Sequence, residues 1–520
     1  MEIIISLDSL LEMIPLSLEK KLIPNFMITK ITADSRKVIS GTLFVACPGD
    51  TFDGHDFIDQ AVSAGAVAVV GEKEIDDCSV PYIRVDNSRQ KLAHLSSAFY
   101  GFPSRRLVMI GVTGTDGKTT TTNLIYKILE AAGYKAGMIS TVNAVIGDQV
   151  LDTGFHVTTP DSPDVQKYLS MMVDAGITHV VLETTSHGWS QFRVDACDFD
   201  IGVITNVTHE HLDQHGSYQN YLAAKGRLLQ SLSNSKEKNL ALRKLAVLNA
   251  DDESYDYLKN ITQVSSTSYG MEHSADYAIK DIEVDASGLR FNIFHRGRLI
   301  IGISTNLIGS YNAMNCTAAF SAAVQGLGID PSIAARGISS LDQIPGRMER
   351  IDCGQDFTAL VDFAHTPNAL KNALLTARQI TSGRIIAVFG SAGLRDRQKR
   401  RMMAEISSSL ADLSVFTAED PRTESLGSIL DEMAVGAIEK GGQKGVNFWC
   451  IPDRRDAIRK GIQISSRGDL LIVCGKGHEQ SMCFGTTEYA WDDRTALQAA
   501  LSELMGIEGP DMPFLPVVEE

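Results

Sequence analysis

The stretch GVTGTDGKTT at residues 111–120 sets Gly114, Gly117, Lys118, Thr119 and Thr120 at the joint between an apolar run and a helical one. That spacing suits phosphate chemistry. A glycine-rich turn from strand into helix leaves backbone N–H groups and the positive helix end facing one point, where a phosphate is stabilised. Lys118 would bring a point charge to the β- and γ-phosphates, and Thr119 a hydroxyl for magnesium. The usual phosphate loop has a further glycine where Val112 stands, so an ordinary tight turn is the competing reading.

Other groups that could act with it lie downstream. Glu183 ends the apolar run of THVVLETTSH, where a carboxylate facing the loop suits magnesium, although acids there also cap helices. NVTHEHLDQHG at 206–216 offers His209, His211 and His215. A zinc hydrolase would need His-Glu-x-x-His, and the position four after His209 is Asp213, so that pattern fails. A magnesium-site histidine beside a nucleotide and a plain polar loop stay open. Lys225, by spacing alone, reads as a solvated helix lysine. Asn312 and Asn315 share a helix face and could pair with adenine or cap. In the last third, VDFAHTP (361–367), GSAGLRDRQKRR (390–401), AEDPRTES (418–425) and CGKGHEQ (474–480) each follow an apolar strand, where α/β sheets carry functional loops.

These residues need a scaffold. Short strands are expected at 42–46, 66–70 and 82–85, then 106–112, 135–141, 178–184, 201–207 and 245–249, and again at 358–363, 384–389, 413–418 and 469–474, with helices between. Such alternation predicts α/β architecture with parallel sheets covered on both faces. Three domains are expected: a small leading α/β module over 1–104, a central P-loop-like ATPase over 105–342, and a Rossmann-like domain over 343–520. Together they suggest an enzyme closing around ligands at the carboxyl ends of its strands.

The bulk properties agree. The chain has 520 residues, 44% hydrophobic and 22% charged, as in ordinary globular proteins. A net charge of −16 speaks against a nucleic-acid surface. Neither a membrane helix nor a signal peptide is expected, and eight scattered cysteines suit a reducing cytoplasm.

Taken together, these motifs resemble the Mur ligases, from ITADSRKVISGTLFVACPGDTFDGHDFI at 31–58 to WDDRTALQAAL at 491–501. The family's Gly-Thr-Asn-Gly-Lys-Thr loop stands here as Gly114-Thr115-Asp116-Gly117-Lys118-Thr119, which accounts for the missing P-loop glycine. The resemblance is strongest to the branch adding the third peptide residue to a UDP-muramoyl-dipeptide. It implies ATP and Mg2+ as cofactors, an acyl-phosphate intermediate, and a monomer with small-molecule substrates. By resemblance, Ser35, Asp50, Thr51 and Phe52 would meet the UDP group. Thr158, Thr159, Thr185, Gln191 and Arg193 would bind the muramoyl-dipeptide, with Thr185 where serine is usual. Thr119, Glu183 and His211 would hold magnesium, joined by a carbamate on Lys225. Asn312, Arg347, Asp362 and His365 would contact ATP, with Phe363 where tyrosine is common.

The resemblance also implies a diamino acid as third substrate, held by Arg395, Glu419, Asp420, Pro421, Arg422, Gly475 and Glu479. Family members using meso-diaminopimelate carry Asp-Asn-Pro-Arg where this chain has Glu419-Asp420-Pro421-Arg422. Arg422 favours a carboxylate, hence meso-diaminopimelate. Asp420 in place of asparagine puts an anion beside the pocket and favours L-lysine or L-ornithine. The arginine is weighted more, since a charge-assisted pair outweighs a solvated neighbour. Folylpolyglutamate and cyanophycin synthetases share the ATPase core, but the DSR…LFVA…DGHDFI module argues against both. A nucleotide switch or motor would need no amino-acid pocket, and the Asn-Lys-x-Asp string of GTPases is absent.

Overall fold

The computed structural model describes residues 3–14, 26–49, 52–151, 159–208, 216–236, 238, 242–285 and 287–516. Apolar, β-branched runs form its strands, since a parallel strand buried on both faces has no polar side to show. The leading module is a four-stranded parallel sheet of β1 (Lys30–Thr32), β2 (Thr42–Val45), β3 (Ala66–Gly71) and β4 (Tyr82–Arg84), in that order. Helix α1 (Ser88–Phe99) follows, its start capped by Asn87, which accepts from Gln90 N–H at 2.8 Å.

The phosphate-loop module is built on β5 (Val108–Thr113), β6 (Ala136–Ile139), β7 (His179–Glu183), β8 (Ile201–Ile204), β9 (Leu245–Asn249) and β10 (Ser265–Gly270). They pair in parallel in the order β6-β7-β5-β8-β9-β10. The first strand thus lies inside the sheet, and Ile110, Val112, Val180, Leu182 and Val203 are fully buried. Helices α2 (Lys118–Ala131), α3 (Ser162–Asp174) and α4 (Tyr218–Asn234) cover it. Three strands then follow with no helix between them, Tyr277–Asp285, Gly288–His295 and Arg298–Thr305. They break the expected alternation of strand and helix.

The last module is a third parallel sheet: β11 (Thr358–Asp362), β12 (Ile385–Gly390), β13 (Leu413–Thr417), β14 (Phe448–Cys450) and β15 (Leu470–Cys474). Its order is β11-β15-β12-β13-β14, with Glu349–Arg350 antiparallel at the β11 edge. Five helices flank these strands: α5 (Pro367–Ile380), α6 (Gln398–Leu410), α7 (Leu426–Glu439), α8 (Arg454–Ile464) and α9 (Asp493–Met505).

These three larger sheets fall into only two compact units. One comprises 1–279, 293–301 and 314–337, the other 280–292, 302–313 and 338–520. The leading module joins the phosphate-loop module because α1 packs on α3 and polar ties cross between them. Gln90 Nε2 donates to Asp195 Oδ2 at 2.9 Å, and Asp198 N to Ser104 Oγ at 3.1 Å. Among the described residues no helix is long and apolar enough to cross a membrane.

Candidate active site

The phosphate loop is shaped by glycines that no other residue could replace. Gly117 caps α2 with φ of 78°, and a Cβ there would lie 2.2 Å from Asn315 Oδ1. At Gly114, a Cβ would fall 1.8 Å from Thr205 Oγ1. The loop is also stitched to the end of β8. Thr205 Oγ1 donates to Asp116 O at 2.6 Å, and Asp116 N donates to Asn206 Oδ1 at 2.8 Å. Thr115 Oγ1 meets Tyr221 OH at 3.0 Å. Lys118 Nζ folds back onto Thr115 O at 2.7 Å, so a bound phosphate would exchange a neutral acceptor for a charged one. Thr120 starts α2 as a buried side chain.

Glu183 is fully buried at the end of β7, beside this loop. Its Oε1 accepts from Thr119 Oγ1 at 3.1 Å and Thr141 Oγ1 at 2.8 Å, and its Oε2 from Thr141 N at 3.0 Å. It is therefore no helix cap. A carboxylate sharing the phosphate-loop threonine hydroxyl is an oxygen donor pair of the type a hard divalent cation takes. Lys225 is not solvated. Only 2% exposed, it reaches from α4 to donate to Gly114 O at 2.5 Å, with its Nζ 4.5 Å from the Tyr221 ring centre. Glycine, threonine, glutamate and lysine thus converge on one loop. His211 lies outside the described residues, as do Asp50, Thr51 and Thr158. Among the described residues, no group of three histidine, cysteine or acidic side chains could hold a metal.

The neighbouring TTSHGWSQFR segment forms a second polar cluster. Thr185 caps the short helix Ser186–Ser190, accepting from Gly188 N at 2.9 Å, and its Oγ1 lies 3.2 Å from that of Thr159. Arg193 donates to Thr159 O at 2.7 Å and Gln191 Oε1 at 2.8 Å, and pairs with Asp161 at 3.2 Å. Burial lowers the Arg193 pKa. In the leading module Ser35 Oγ donates weakly to Gln60 Oε1 at 3.4 Å, and Phe52 is exposed.

In the second unit, Arg347 lies 4.6 Å over the Phe363 ring, with its buried Nε unpartnered among the described residues. Asp362 ends β11 and accepts from Met348 N (2.8 Å) and Ala364 N (2.9 Å). His365 Nδ1 sits 2.9 Å from Phe363 O, and its ring packs on Phe363. Asn312 donates to Ile308 O at 2.7 Å.

Three strand-end loops meet around Asp420, Pro421 and Arg422. Asp420 and Arg422 flank Pro421 in left-handed conformations, φ 41° and 55°, which cost roughly 1–2 kcal/mol each for such residues. The loop is held by Gly393 N donating to Asp420 O (3.0 Å) and Arg422 N to Cys483 O (3.1 Å). Arg422 Nε is buried without a hydrogen-bond partner among the described residues. Arg395 is exposed on the adjoining GLRD loop. Glu419 is buried, and burial pushes its pKa up to about 8 against the pull of Arg454 and Lys476. Gly475 makes room for it, since a Cβ there would lie 2.3 Å from Glu419 Oε2.

The anion expected beside the pocket is neutralised. Lys476 Nζ, buried, lies 3.0 and 3.1 Å from the two Asp420 oxygens and 2.6 Å from Glu479 Oε2. Burial opposes its charge, yet Glu479 and Asp420 outweigh that and raise its pKa. Residue spacing gave no sign of Lys476, because its partner stands 56 residues earlier. Arg454 was equally hidden. Fully buried, it donates to Ala418 O (3.0 Å), Cys474 O (2.8 Å) and both Asp493 oxygens (2.7 and 2.6 Å), tying together the ends of β13 and β15.

Comparison with known proteins accords with this geometry. Residues 27–100 match the family model described as Mur ligase family, catalytic domain; 112–323 match the Mur ligase middle domain; and 346–477 match the Mur ligase, glutamate ligase domain. A UDP-N-acetylmuramoyl-L-alanyl-D-glutamate–2,6-diaminopimelate ligase of Geobacillus kaustophilus is 40% identical over 92% of this chain and 95% of its own. A UDP-N-acetylmuramyl-tripeptide synthetase of Roseiflexus sp. is 42% identical over the same shares. A solved structure of a UDP-N-acetylmuramoyl-L-alanyl-D-glutamate–2,6-diaminopimelate ligase aligns with a TM-score of 0.66 at 29% identity, over 96% of this chain and 99% of that one. A chain that matches three models of one family in order, and such relatives along nearly its whole length, belongs to the Mur ligases, ATP-dependent enzymes that form amide bonds.

Proposed function

We propose that the chain adds meso-diaminopimelate to the D-glutamate of UDP-N-acetylmuramoyl-L-alanyl-D-glutamate. The observation that carries this choice of amino acid is Arg422. Its guanidinium has a buried Nε without a hydrogen-bond partner among the described residues and stands beside an Asp420 whose charge Lys476 takes up. A planar cation left with a free donor fits a second carboxylate better than a side-chain ammonium. The names of the Geobacillus kaustophilus relative and of the solved neighbour point the same way.

In the reaction, an oxygen of the D-glutamate γ-carboxylate attacks the γ-phosphorus of ATP, and the bond to ADP breaks. The amine of the incoming amino acid then attacks the acyl phosphate, and phosphate leaves as the amide forms. Two anions meet in the first step, so charge neutralisation is the main task. Lys118 and the N–H groups at the start of α2 would hold the phosphates, while Arg347, Asp362, His365 and Asn312 bind the nucleotide. Arg193, with Thr159, Thr185 and Gln191, would orient the dipeptide; Ser35 and Phe52, with Asp50 and Thr51, the UDP group. Magnesium would be held by Thr119, Glu183, His211 and a carbamate on Lys225, and would supply positive charge to the phosphates. A carbamate nitrogen at Lys225 would still have one N–H to give to Gly114 O, the acceptor that Nζ uses now, and its two oxygens would supply further anionic ligands.

Parallel ligation assays with meso-diaminopimelate, L-lysine and L-ornithine test the proposal. ADP release should require the UDP-dipeptide and be fastest with meso-diaminopimelate. Preference for lysine or ornithine would refute the choice of amino acid, and release without any amino acid would refute ligation.

A further inference from the structure

The buried Lys476 does no chemistry in this scheme, yet it touches both the recognition loop and Glu479. We infer that Lys476 is a specificity-determining positioning residue, which cancels the charge of Asp420 and fixes Glu479, so that the pocket at Arg422 accepts a second carboxylate. The inference rests on the proposed amino-acid addition and concerns how its selectivity is set.

The geometry leaves Asp420 few other roles. Both carboxylate oxygens face Lys476 Nζ, at 3.0 and 3.1 Å, and Oδ1 also accepts from Cys483 N at 2.9 Å. The same Nζ holds Glu479 at 2.6 Å. The Lys476 side chain is 1% exposed, so water does little to screen these pairs. Burial has already removed Glu419 from the balance, because its carboxyl stays largely protonated near neutral pH. Lys476 therefore sets how strongly the local charge favours an anion. With it, Arg422 and Arg395 face the substrate with one carboxylate fewer opposing them. Without it, Asp420 and Glu479 together would repel a dicarboxylic amino acid more than lysine, whose side chain ends in an ammonium. Its position between Gly475 and Gly477 fits a role in holding two loops, since Glu479 N also donates back to Lys476 O at 2.9 Å.

The test compares wild type, Lys476→Met, Asp420→Asn and the double variant. kcat/KM is measured for meso-diaminopimelate and for L-lysine, with thermal melting followed by circular dichroism as the control for folding. Lys476→Met should lower kcat/KM for meso-diaminopimelate by about 30-fold or more, with a much smaller loss for lysine. Adding Asp420→Asn should restore most of the ratio, which a merely structural lysine would not produce. An unchanged ratio in Lys476→Met, or a double variant no better than the single one, overturns the inference. If Lys476→Met does not fold, Asp420→Asn decides alone: it should raise the diaminopimelate-to-lysine ratio, and an unchanged ratio overturns the inference. A wild type that prefers lysine would refute the assigned substrate instead, while the variants would still report whether Lys476 sets the ratio.

Discussion

The phosphate loop and the amino-acid loop are both turns at the carboxyl ends of parallel strands, but they achieve selectivity by different means. At 114–119 the work is done by backbone. A Cβ at Gly114 or Gly117 would fall 1.8 or 2.2 Å from a side-chain oxygen, so neither position admits a side chain, and under the proposed function the phosphate donors are main-chain N–H groups and one lysine. At 419–422 the work is done by balanced side-chain charges drawn from distant points. Asp420 is paired with Lys476, Glu419 is kept largely neutral by burial, and Arg422 Nε has no hydrogen-bond partner among the described residues. A site for an invariant group such as triphosphate can be built from shape alone. Discrimination among similar amino acids depends on which charges remain uncancelled.

Breaking the first loop should have the largest effect. Lys118→Ala is expected to lower ligation by about 1000-fold, while calorimetry shows UDP-dipeptide binding nearly unchanged. A comparable loss of UDP-dipeptide affinity would mean that the two sites are not separable. Lys225→Ala should lower ligation by roughly 100-fold and recover in part with added acetate, which can replace carbamate oxygens. Near-normal activity without acetate would remove Lys225 from the reaction.

Changes in the second loop should act on selectivity more than on rate. Arg422→Lys keeps the charge but loses the planar fork, so about a 10-fold fall in kcat/KM for meso-diaminopimelate is expected. The value for lysine should move less, and parallel losses for both would mean that Arg422 holds no side-chain carboxylate. The smallest effect is on stability. Glu419 has a pKa raised from its ordinary 4.5 to about 8, so the folded chain keeps a proton that the unfolded chain releases. That contribution is complete below pH 4.5 and is lost as pH rises toward 8, at up to about 1.4 kcal/mol per pH unit. Relative to Glu419→Gln, wild type should therefore melt progressively earlier between pH 5 and 8, with the difference constant above. Melting curves that stay parallel across this range would mean that Glu419 is ionised in the fold.

The same contrast governs what the sequence reveals. Most strands of both large sheets are legible, each being an apolar run followed by a turn and an amphipathic helix, but β10, a run of serine and threonine, and the three-residue β14 are not. The three strands over 277–305 are not, since reading for alternating strands and helices passes over strands joined directly. Gly117, Lys118 and Thr119 declare their chemistry within a few residues. Lys225 and Asp420 do not. On spacing alone one is a solvated lysine and the other a free anion, and their burial and partners come from residues about 110 and 56 positions away. Arg454, whose four acceptors lie in three separate segments, leaves no local signal at all.

The order of strands in the last sheet has a consequence for synthesis on the ribosome. β15 is made last, yet it lies between β11 and β12. Until residue 474 has emerged, those two strands have no common partner, and each presents an open edge able to pair with another chain. Lys476 and Glu479 arrive only with the closing strand. A nascent chain halted earlier therefore has a finished phosphate loop and no amino-acid site, so premature termination should yield aggregation-prone chains rather than ligases of altered preference.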